Sequence, residues 1–241
     1  MFPERFLSAE DASRAWRTFR KLARHDVSHW ALTGGFAIEF HRWQVRSAPY
    51  IRALNDLDFI ASSFDGIPDT VAEDFLFRHI HPLDPPGRTM MQCVDPDTAV
   101  RIDVFRANGA TMSRASRVDL PVGTIRLISV EDLVARTARL VLDLAEGVPV
   151  PAKHARDFLG LLELVDPPEV EAAWQDHRRS QHPASFAETS RRLQDLIPAS
   201  QKLLINPDYS KDATEVCERC APTAVFRLAD PAVVRSVLGY C

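Results

Sequence analysis

The sequence has little of what marks an exported, membrane-spanning or disulfide-rich protein. Its 241 residues include only four cysteines, and the first residues lack the cationic segment and apolar core of an export signal. No apolar run approaches the ~18 residues that are needed to cross a bilayer. We therefore expect a cytoplasmic protein with reduced thiols and no membrane partner.

Lysine is also scarce, and the chain has no excess of basic charge. The net charge is -4, the isoelectric point is near 6.1, and lysine occurs at only four positions. This charge balance excludes a broad cationic face, so any contact with nucleic acid would be local. Arginine supplies almost all of the positive charge, and its planar fork suits phosphate, although a GC-rich genome also produces arginine-rich proteins. Composition alone therefore identifies no ligand.

The remaining composition, 46% hydrophobic and 26% charged, is typical of a folded globular protein. The first half alternates between helix and strand patterns, which predicts an α/β (α+β) fold with a small mixed sheet flanked by helices. We place its helices at 9–25, 36–43 and 69–77, and its strands at 27–33, 57–61, 90–94 and 99–105. The turn signal at 95–98 predicts a hairpin of the last two strands, which could lie beside the strand at 57–61.

The second half has helical patterns instead. Ser129 is predicted to be an N-cap with Asp132 at the third helical position, and the helix continues to residue 144. Further helices are predicted at 152–165, 168–180 and 185–204. We therefore divide the chain into a first domain over 1–128 and a helical C-terminal region over 129–241, with an irregular tail.

A glycine pair joins the first predicted strand to the following helix. Gly34 and Gly35 would stand at the amino terminus of that helix, where free backbone N–H groups can bind phosphate. The loop over 44–55 that follows the helix is either a neutral insertion or an acceptor-binding lid.

Three acidic residues follow on strand-like segments. Asp56 and Asp58 are two residues apart, so both side chains project to one face while Leu57 and Phe59 turn into the core. Asp103 is set among apolar residues, where a charge without a purpose is costly. Carboxylates this close repel one another unless a cation lies between them, and hard oxygen ligands suit Mg²⁺. The three acids therefore predict a metal site, although an isolated Asp-x-Asp is more often a solvated strand face.

The segments 31–39 and 56–59 together resemble the Gly-Gly and Asp-x-Asp signature of the DNA polymerase beta-like nucleotidyltransferase superfamily. The resemblance is nearest to its minimal bacterial branch, which includes abortive-infection toxin-like proteins and lincosamide-type antibiotic nucleotidyltransferases. Arg52 and Asn55 are similar to the polar residues that precede the acids in those proteins. The similarity covers about residues 28–165.

The resemblance implies a nucleotidyltransferase fold in which Asp56, Asp58 and Asp103 are catalytic and bind Mg²⁺, as two ions. Nucleotide binding is assigned by the same resemblance to Thr33, Gly34, Gly35, Arg52 and Lys153. Relatives often carry a lysine in the helix after the catalytic strands, where this chain has Arg136 and Arg139, so the role of these two arginines stays open.

The reaction implied is transfer of a nucleoside monophosphate from ATP or another NTP to an acceptor hydroxyl, with release of pyrophosphate. The acceptor is the end of a tRNA, a protein or a small molecule. A toxin-like role, with an antitoxin protein as partner, is one form of this function. The alternative from a different class is a catalytically silent protein that acts as a nucleotide sensor or partner-binding module.

The cysteines and histidines give no clear ligand set. Cys217, Cys220 and Cys241 lack a fourth zinc ligand nearby, so packed reduced thiols are expected before a zinc site. The eight histidines form no cluster in the sequence, and we interpret them as structural or solvated. His29 and His41 are the histidines closest to the predicted cleft.

Overall fold

The structure is a computed structural model that describes residues 7–45, 56–63, 68, 70–80, 90–120 and 122–207. Arg52, most of the loop over 44–55, and the cysteines of the tail lie outside the described residues. No described helix combines the length and apolar character that crossing a membrane requires.

Helices and strands alternate in the first half, and helices dominate the second. In chain order the elements are α1 (Ala9–Leu22), β1 (Trp30–Thr33), α2 (Gly34–Val45), β2 (Asp56–Ala61), α3 (Val71–Asp74), β3 (Leu76–Ile80), β4 (Met90–Val94), β5 (Arg101–Arg106), α4 (Thr111–Arg114), β6 (Ser116–Leu120), β7 (Gly123–Leu127), α5 (Val130–Val141), β8 (Val150–Pro151), α6 (Ala152–Leu162), α7 (Pro167–His177), α8 (Phe186–Ala199) and β9 (Leu204–Ile205).

The first seven strands form one mixed sheet in the order β3-β4-β5-β2-β1-β7-β6. β2 pairs in parallel with β5, and β1 in parallel with β7, whereas the other neighbours are antiparallel. This arrangement confirms the predicted α/β (α+β) class. The predicted hairpin of β4 and β5 is confirmed as well, and it lies beside β2 because β5 pairs with that strand.

The core forms where the apolar stripe of α1 meets α2 and the sheet. The ring of Phe19 in α1 contacts Phe36 of α2 and Phe59 of β2, with ring centroids 5.5 and 6.3 Å apart. Ser8 accepts a hydrogen bond from the Asp11 amide and caps the helix. The two helices therefore pack against β2, the strand that carries Asp56 and Asp58.

Two local predictions differ from the structure. The predicted helix over 69–77 is wrong beyond its first part, because helix is confined to Val71–Asp74 and Leu76–Ile80 is a strand. Pairing with β4 supplies that strand with backbone partners, and tertiary pairing overrides a weak helical pattern. The hairpin of β6 and β7 is not predicted from the sequence, because its exposed strands lack a strong alternation of apolar and polar residues.

The helical region is built around α5, which packs against α2, α6, α7 and α8. Ser129 caps α5 by accepting a hydrogen bond from the Asp132 amide, as predicted. The short strands β8 and β9 pair in parallel and join the start of α6 to the chain that follows α8. The division of the chain at residue 128 stays a prediction.

Candidate active site

Three carboxylates converge on one face of the central strands. Asp58 of β2 is the register partner of Asp103 in β5, and Asp56 lies two residues earlier on the same face of β2. One carboxylate oxygen from each lies within 4.8 Å of the others. Leu57 and Phe59 are buried on the opposite face, as the alternation predicts. Pairing of β2 with β5 therefore brings together residues that are far apart in the sequence.

The charges of the cluster act on each other. Burial, followed by the negative charges of Asp56 and Asp103, raises the pKa of Asp58 to about 7. Burial also raises the pKa of Asp103, against the opposing charge of Arg101. A pKa shifted by burial and by like charges is typical of functional sites, because the fold holds groups together that repel each other.

Gly34 allows Asp58 to lie against the turn between β1 and α2. Its φ is +65°, in the left-handed region, and a Cβ at this position would lie 1.8 Å from Asp58 Oδ2. The preceding residue, Thr33, is the register partner of Asp58. The amino terminus of α2, with Gly35 in its first turn, therefore lies beside the carboxylates.

Two cationic residues of the helical region act on the cluster. Arg136 of α5 donates a hydrogen bond from Nη1 to Thr33 Oγ1 at 3.1 Å, and its guanidinium lies 4.8 Å from the ring centre of Phe105. The positive charges of Arg136 and Lys153 both lower the pKa of Asp58, against the larger effect of burial. Lys153 was assigned to the site from the sequence. Arg136 was left open, and the fold brings it there through α5.

Sequence reasoning missed two residues that contact the carboxylates. Arg101 Nη2 donates to Asp56 Oδ2 at 2.5 Å, and its Nε lies 3.2 Å from Asp103 Oδ2. Gln92 of β4 donates from Nε2 to Asp103 Oδ1 at 2.9 Å. A signal for Arg101 was present, because residues two apart on a strand share a face. Gln92 could be found only from the hairpin register, which pairs it with Asp103.

Two of the histidines expected to be structural or solvated have partners outside the acidic cluster. His41 Nε2 lies 2.9 Å from the carbonyl oxygen of Ile128, just before α5. His177 is buried, with Nε2 3.0 Å from Asp132 Oδ1. Cys93 is a free, buried thiol whose pKa is raised by burial, and so it is a core residue rather than a reactive one.

No protein-family model matches the chain, and no curated protein matches it. Solved structures to which the chain shows similarity include an antigenic nucleotidyltransferase-like protein from Paracoccidioides brasiliensis, with a TM-score of 0.44 and 16% identity over 84% of this chain and 96% of that one. The antibiotic-resistance factor ANT(2'')-Ia has a TM-score of 0.42 and 13% identity, over 79% and 98% of the two chains. JHP933 from Helicobacter pylori has a TM-score of 0.38 and 14% identity, over 86% and 96%. At these values the chain is assigned to no family.

Proposed function

We propose that this protein is a divalent-cation-dependent nucleotidyltransferase that moves a nucleoside monophosphate from an NTP to an acceptor hydroxyl. The observation that carries the proposal is the convergence of Asp56, Asp58 and Asp103, whose carboxylate oxygens lie within 4.8 Å of one another. They lie beside the start of α2, where the turn at Gly34 leaves room for Asp58. The glycine pair, the Asp-x-Asp segment and the third acid, which are separate in the sequence, thus lie close together in the fold.

The donor set fits Mg²⁺. Three carboxylates supply hard oxygen ligands. Burial, followed by like charge, raises the pKa of Asp58, and a cation among the carboxylates would offset both effects. When bound there, Mg²⁺ would neutralise phosphate charge and help to activate the acceptor hydroxyl. Asp56, Asp58 and Asp103 are the residues that would hold it.

The other residues of the site bind and orient the nucleotide. The first N–H groups of α2, from Gly34 and Gly35 onward, have no partner within the helix and suit phosphate oxygens. Arg136, which Thr33 holds by a hydrogen bond, and Lys153 add positive charge on the α5 and α6 side. These groups stabilise charge on the transferred phosphoryl group, which is the main requirement of such reactions.

The chemical step exchanges one phosphorus–oxygen bond for another. The acceptor oxygen bonds to the α-phosphorus, the bond from the α-phosphorus to its bridging oxygen breaks, and that electron pair leaves with pyrophosphate. Asp103, which lies beside the other two carboxylates, is the residue that would accept the proton of the acceptor hydroxyl. A tRNA end, a protein or a small molecule can supply the hydroxyl, and a toxin-like role would be one use of the same reaction.

One observation favours a second candidate, a catalytically silent nucleotide sensor. Arg101 forms ion pairs with Asp56 and Asp103, so two of the three carboxylates already have a cationic partner within the chain. A protein in which that pairing is permanent would bind nucleotide through the α2 turn and the basic residues without transferring it.

The proposal is tested by incubating the purified protein and Mg²⁺ with NTPs labelled at the α-phosphate. Separate reactions contain total tRNA, a protein lysate and a pool of small hydroxyl compounds. We expect label in at least one acceptor pool, and at least a roughly thousandfold loss in the variants Asp58→Asn and Asp103→Asn, which lack a metal ligand.

Asp119→Asn is the matched control, because Asp119 is an exposed acid on β6 in the same sheet. Its labelling should equal that of the wild type. Label that persists in Asp58→Asn would contradict the proposal. Calorimetric binding of an NTP by the wild type, with no label in any pool, would favour the sensor instead.

A further inference from the structure

The Arg101 side chain lies among the carboxylates that the proposed function assigns to the metal. Its Nη2 is 2.5 Å from Asp56 Oδ2, and its Nε is 3.2 Å from Asp103 Oδ2. One guanidinium therefore spans two strands and contacts two of the three acids. The contact with Asp56 is a charge-assisted hydrogen bond, which is among the stronger polar interactions in proteins, and the contact with Asp103 is an ion pair.

The backbone places Arg101 there. Arg101 and Asp103 are two residues apart on β5 and share a face, and Arg101 is the register partner of Asp56 on β2. Register partners on neighbouring strands lie one strand spacing apart, roughly 4.8 Å. The ion pairs thus follow from the sheet register and do not depend on a long reach of the side chain.

The oxygen atoms that Arg101 contacts are ligand atoms that a divalent cation needs. Mg²⁺ binds carboxylate oxygens at about 2.1 Å, which is closer than any guanidinium nitrogen approaches. A cation at Asp56 Oδ2 and Asp103 Oδ2 would therefore lie close to the guanidinium, and two positive charges at that separation repel each other.

From this geometry we infer that Arg101 and the divalent cation compete for Asp56 and Asp103, so that metal binding requires the guanidinium to leave the two carboxylates. The inference rests on the proposed function, because it takes the acidic cluster as the metal site. The Arg101 side chain keeps 19% of its surface exposed, which gives it a route toward solvent. Arg101 is a positioning residue in this scheme: it sets the metal concentration at which the carboxylates become ligands.

The experiment measures Mn²⁺ affinity by electron paramagnetic resonance and calorimetry, without nucleotide, in the wild type and in Arg101→Gln. We expect Arg101→Gln to bind Mn²⁺ at least about tenfold more tightly. The variant Arg101→Lys keeps the charge but loses the planar fork, so its affinity should fall between the two. Arg117→Gln, which changes an exposed arginine on β6, is the matched control and should bind as the wild type does.

A second measurement uses the unmodified protein and does not depend on how the variants fold. In the wild type, the Nε–Hε proton of Arg101 should be protected from exchange with water, and Mg²⁺ should remove that protection in an NMR titration. A signal unchanged at saturating Mg²⁺ would mean that the arginine stays in place, which overturns the inference.

The outcomes separate the inference from the proposed function. Equal or weaker Mn²⁺ binding by Arg101→Gln, with clear binding by the wild type, overturns the competition and leaves the metal site intact. Absence of binding in the wild type and in every Arg101 variant overturns the metal site itself, and with it the proposed function.

Discussion

Asp132 and Asp58 are both carboxylates enclosed by the fold, yet their surroundings move their pKa values in opposite directions. Burial acts to raise the pKa of Asp132, but hydrogen bonds from Arg114, His177 and Ser129 outweigh it and hold the pKa well below its usual range. Asp58 instead lies beside Asp56 and Asp103, and burial together with their negative charges raises its pKa to about 7.

The hydrogen bonds and ion pairs of Asp132 explain its lowered pKa. Arg114 approaches Asp132 with Nε at 2.9 Å and Nη2 at 2.7 Å, and Thr111 and His177 lie at 3.0 Å. Arg114 also pairs with Asp176 of α7 at 2.7 Å. This network joins α4 to α5 and α7. A buried acid whose hydrogen-bonding capacity is filled stabilises a packing arrangement.

The difference separates a structural acid from a functional one. Around Asp132 the chain supplies hydrogen-bond donors that match the charge. Around Asp58 it supplies further negative charge, so the cluster is a place where an added cation would lower the free energy. Substitutions of Asp132, Gly34 and Asp58 test whether the two acids differ in this way.

Asp132→Asn is expected to lower the free energy of unfolding by about 3 kcal/mol, because removing one partner of a buried ion pair leaves the other uncompensated. Urea unfolding followed by circular dichroism measures the effect. Mn²⁺ affinity of the folded variant should stay within about twofold of the wild type, since Asp132 is not a ligand of the acidic cluster. A stability equal to that of the wild type would show that the network around Asp132 is not the structural tie described here.

Gly34→Ala is expected to lower the free energy of unfolding by at least about 2 kcal/mol, because alanine is strained in the left-handed region and its Cβ would displace Asp58. Gly147→Ala is the matched control: its φ is +73° but nothing lies within 4 Å of the added Cβ, so only about 1 kcal/mol should be lost. Mn²⁺ binding should weaken only in Gly34→Ala. Equal losses of stability in the two variants would mean that the contact between Gly34 and Asp58 has no energetic weight.

Asp58→Asn is expected to raise the free energy of unfolding at pH 7 in EDTA by about 1 to 2 kcal/mol, because it removes charge repulsion that the wild type carries. The sign depends on pH. Below the ordinary pKa of 3.8, Asp58 is protonated in both the folded and the unfolded state, so its raised pKa does not change the free energy of unfolding. As pH rises from there to about 7, the raised pKa lowers the free energy of unfolding progressively. The gain of Asp58→Asn should therefore appear between about pH 4 and pH 7.

Asp132→Asn supplies the opposite pH dependence as the control. The loss in the free energy of unfolding of this variant should be greatest at neutral pH. The loss should become smaller as pH falls below the ordinary pKa of an aspartate, since a lowered pKa stabilises the fold only while the acid is ionised. If the free energy of unfolding changed with pH in the same way in Asp58→Asn and Asp132→Asn, the contrast between the two acids would be wrong. Thermal and urea unfolding over this pH range measure both.

Much of the fold could be predicted because its local patterns are strong. The apolar stripe of α1, the Ser129 cap of α5 and the turn at 95–98 each depend on residues within one or two turns of chain. Leu76–Ile80 was misassigned because its state depends on pairing with β4, and the exposed hairpin of β6 and β7 gave too weak a pattern. Local sequence does not encode which distant strand supplies the hydrogen bonds.

The candidate site was predictable in part for the same reason. Strand alternation put Asp56 and Asp58 on one face, and the costly position of Asp103 among apolar residues marked it as a third acid. Arg136 and Gln92 could not be placed in this way, because each reaches the cluster through a helix or hairpin whose position is set by packing. The assigned roles of Thr33, Gly34, Gly35 and Lys153 in nucleotide binding stay predictions, as does that of Arg52.

Local periodicity in the sequence is enough to predict most of the helices, the glycine turn before α2, and the shared face of Asp56 and Asp58, because helix and strand patterns act over a few residues. Strand pairing, which local sequence does not encode, places Asp103 in register with Asp58 and lets Arg101 contact both Asp56 and Asp103. The packing likewise gives Asp132 several hydrogen-bond donors, whereas it places Asp58 beside two further carboxylates whose charges, together with burial, outweigh those of Arg136 and Lys153. Those outcomes depend on the distances between residues that are remote in the chain, and such distances are set by how the strands pair and the helices pack.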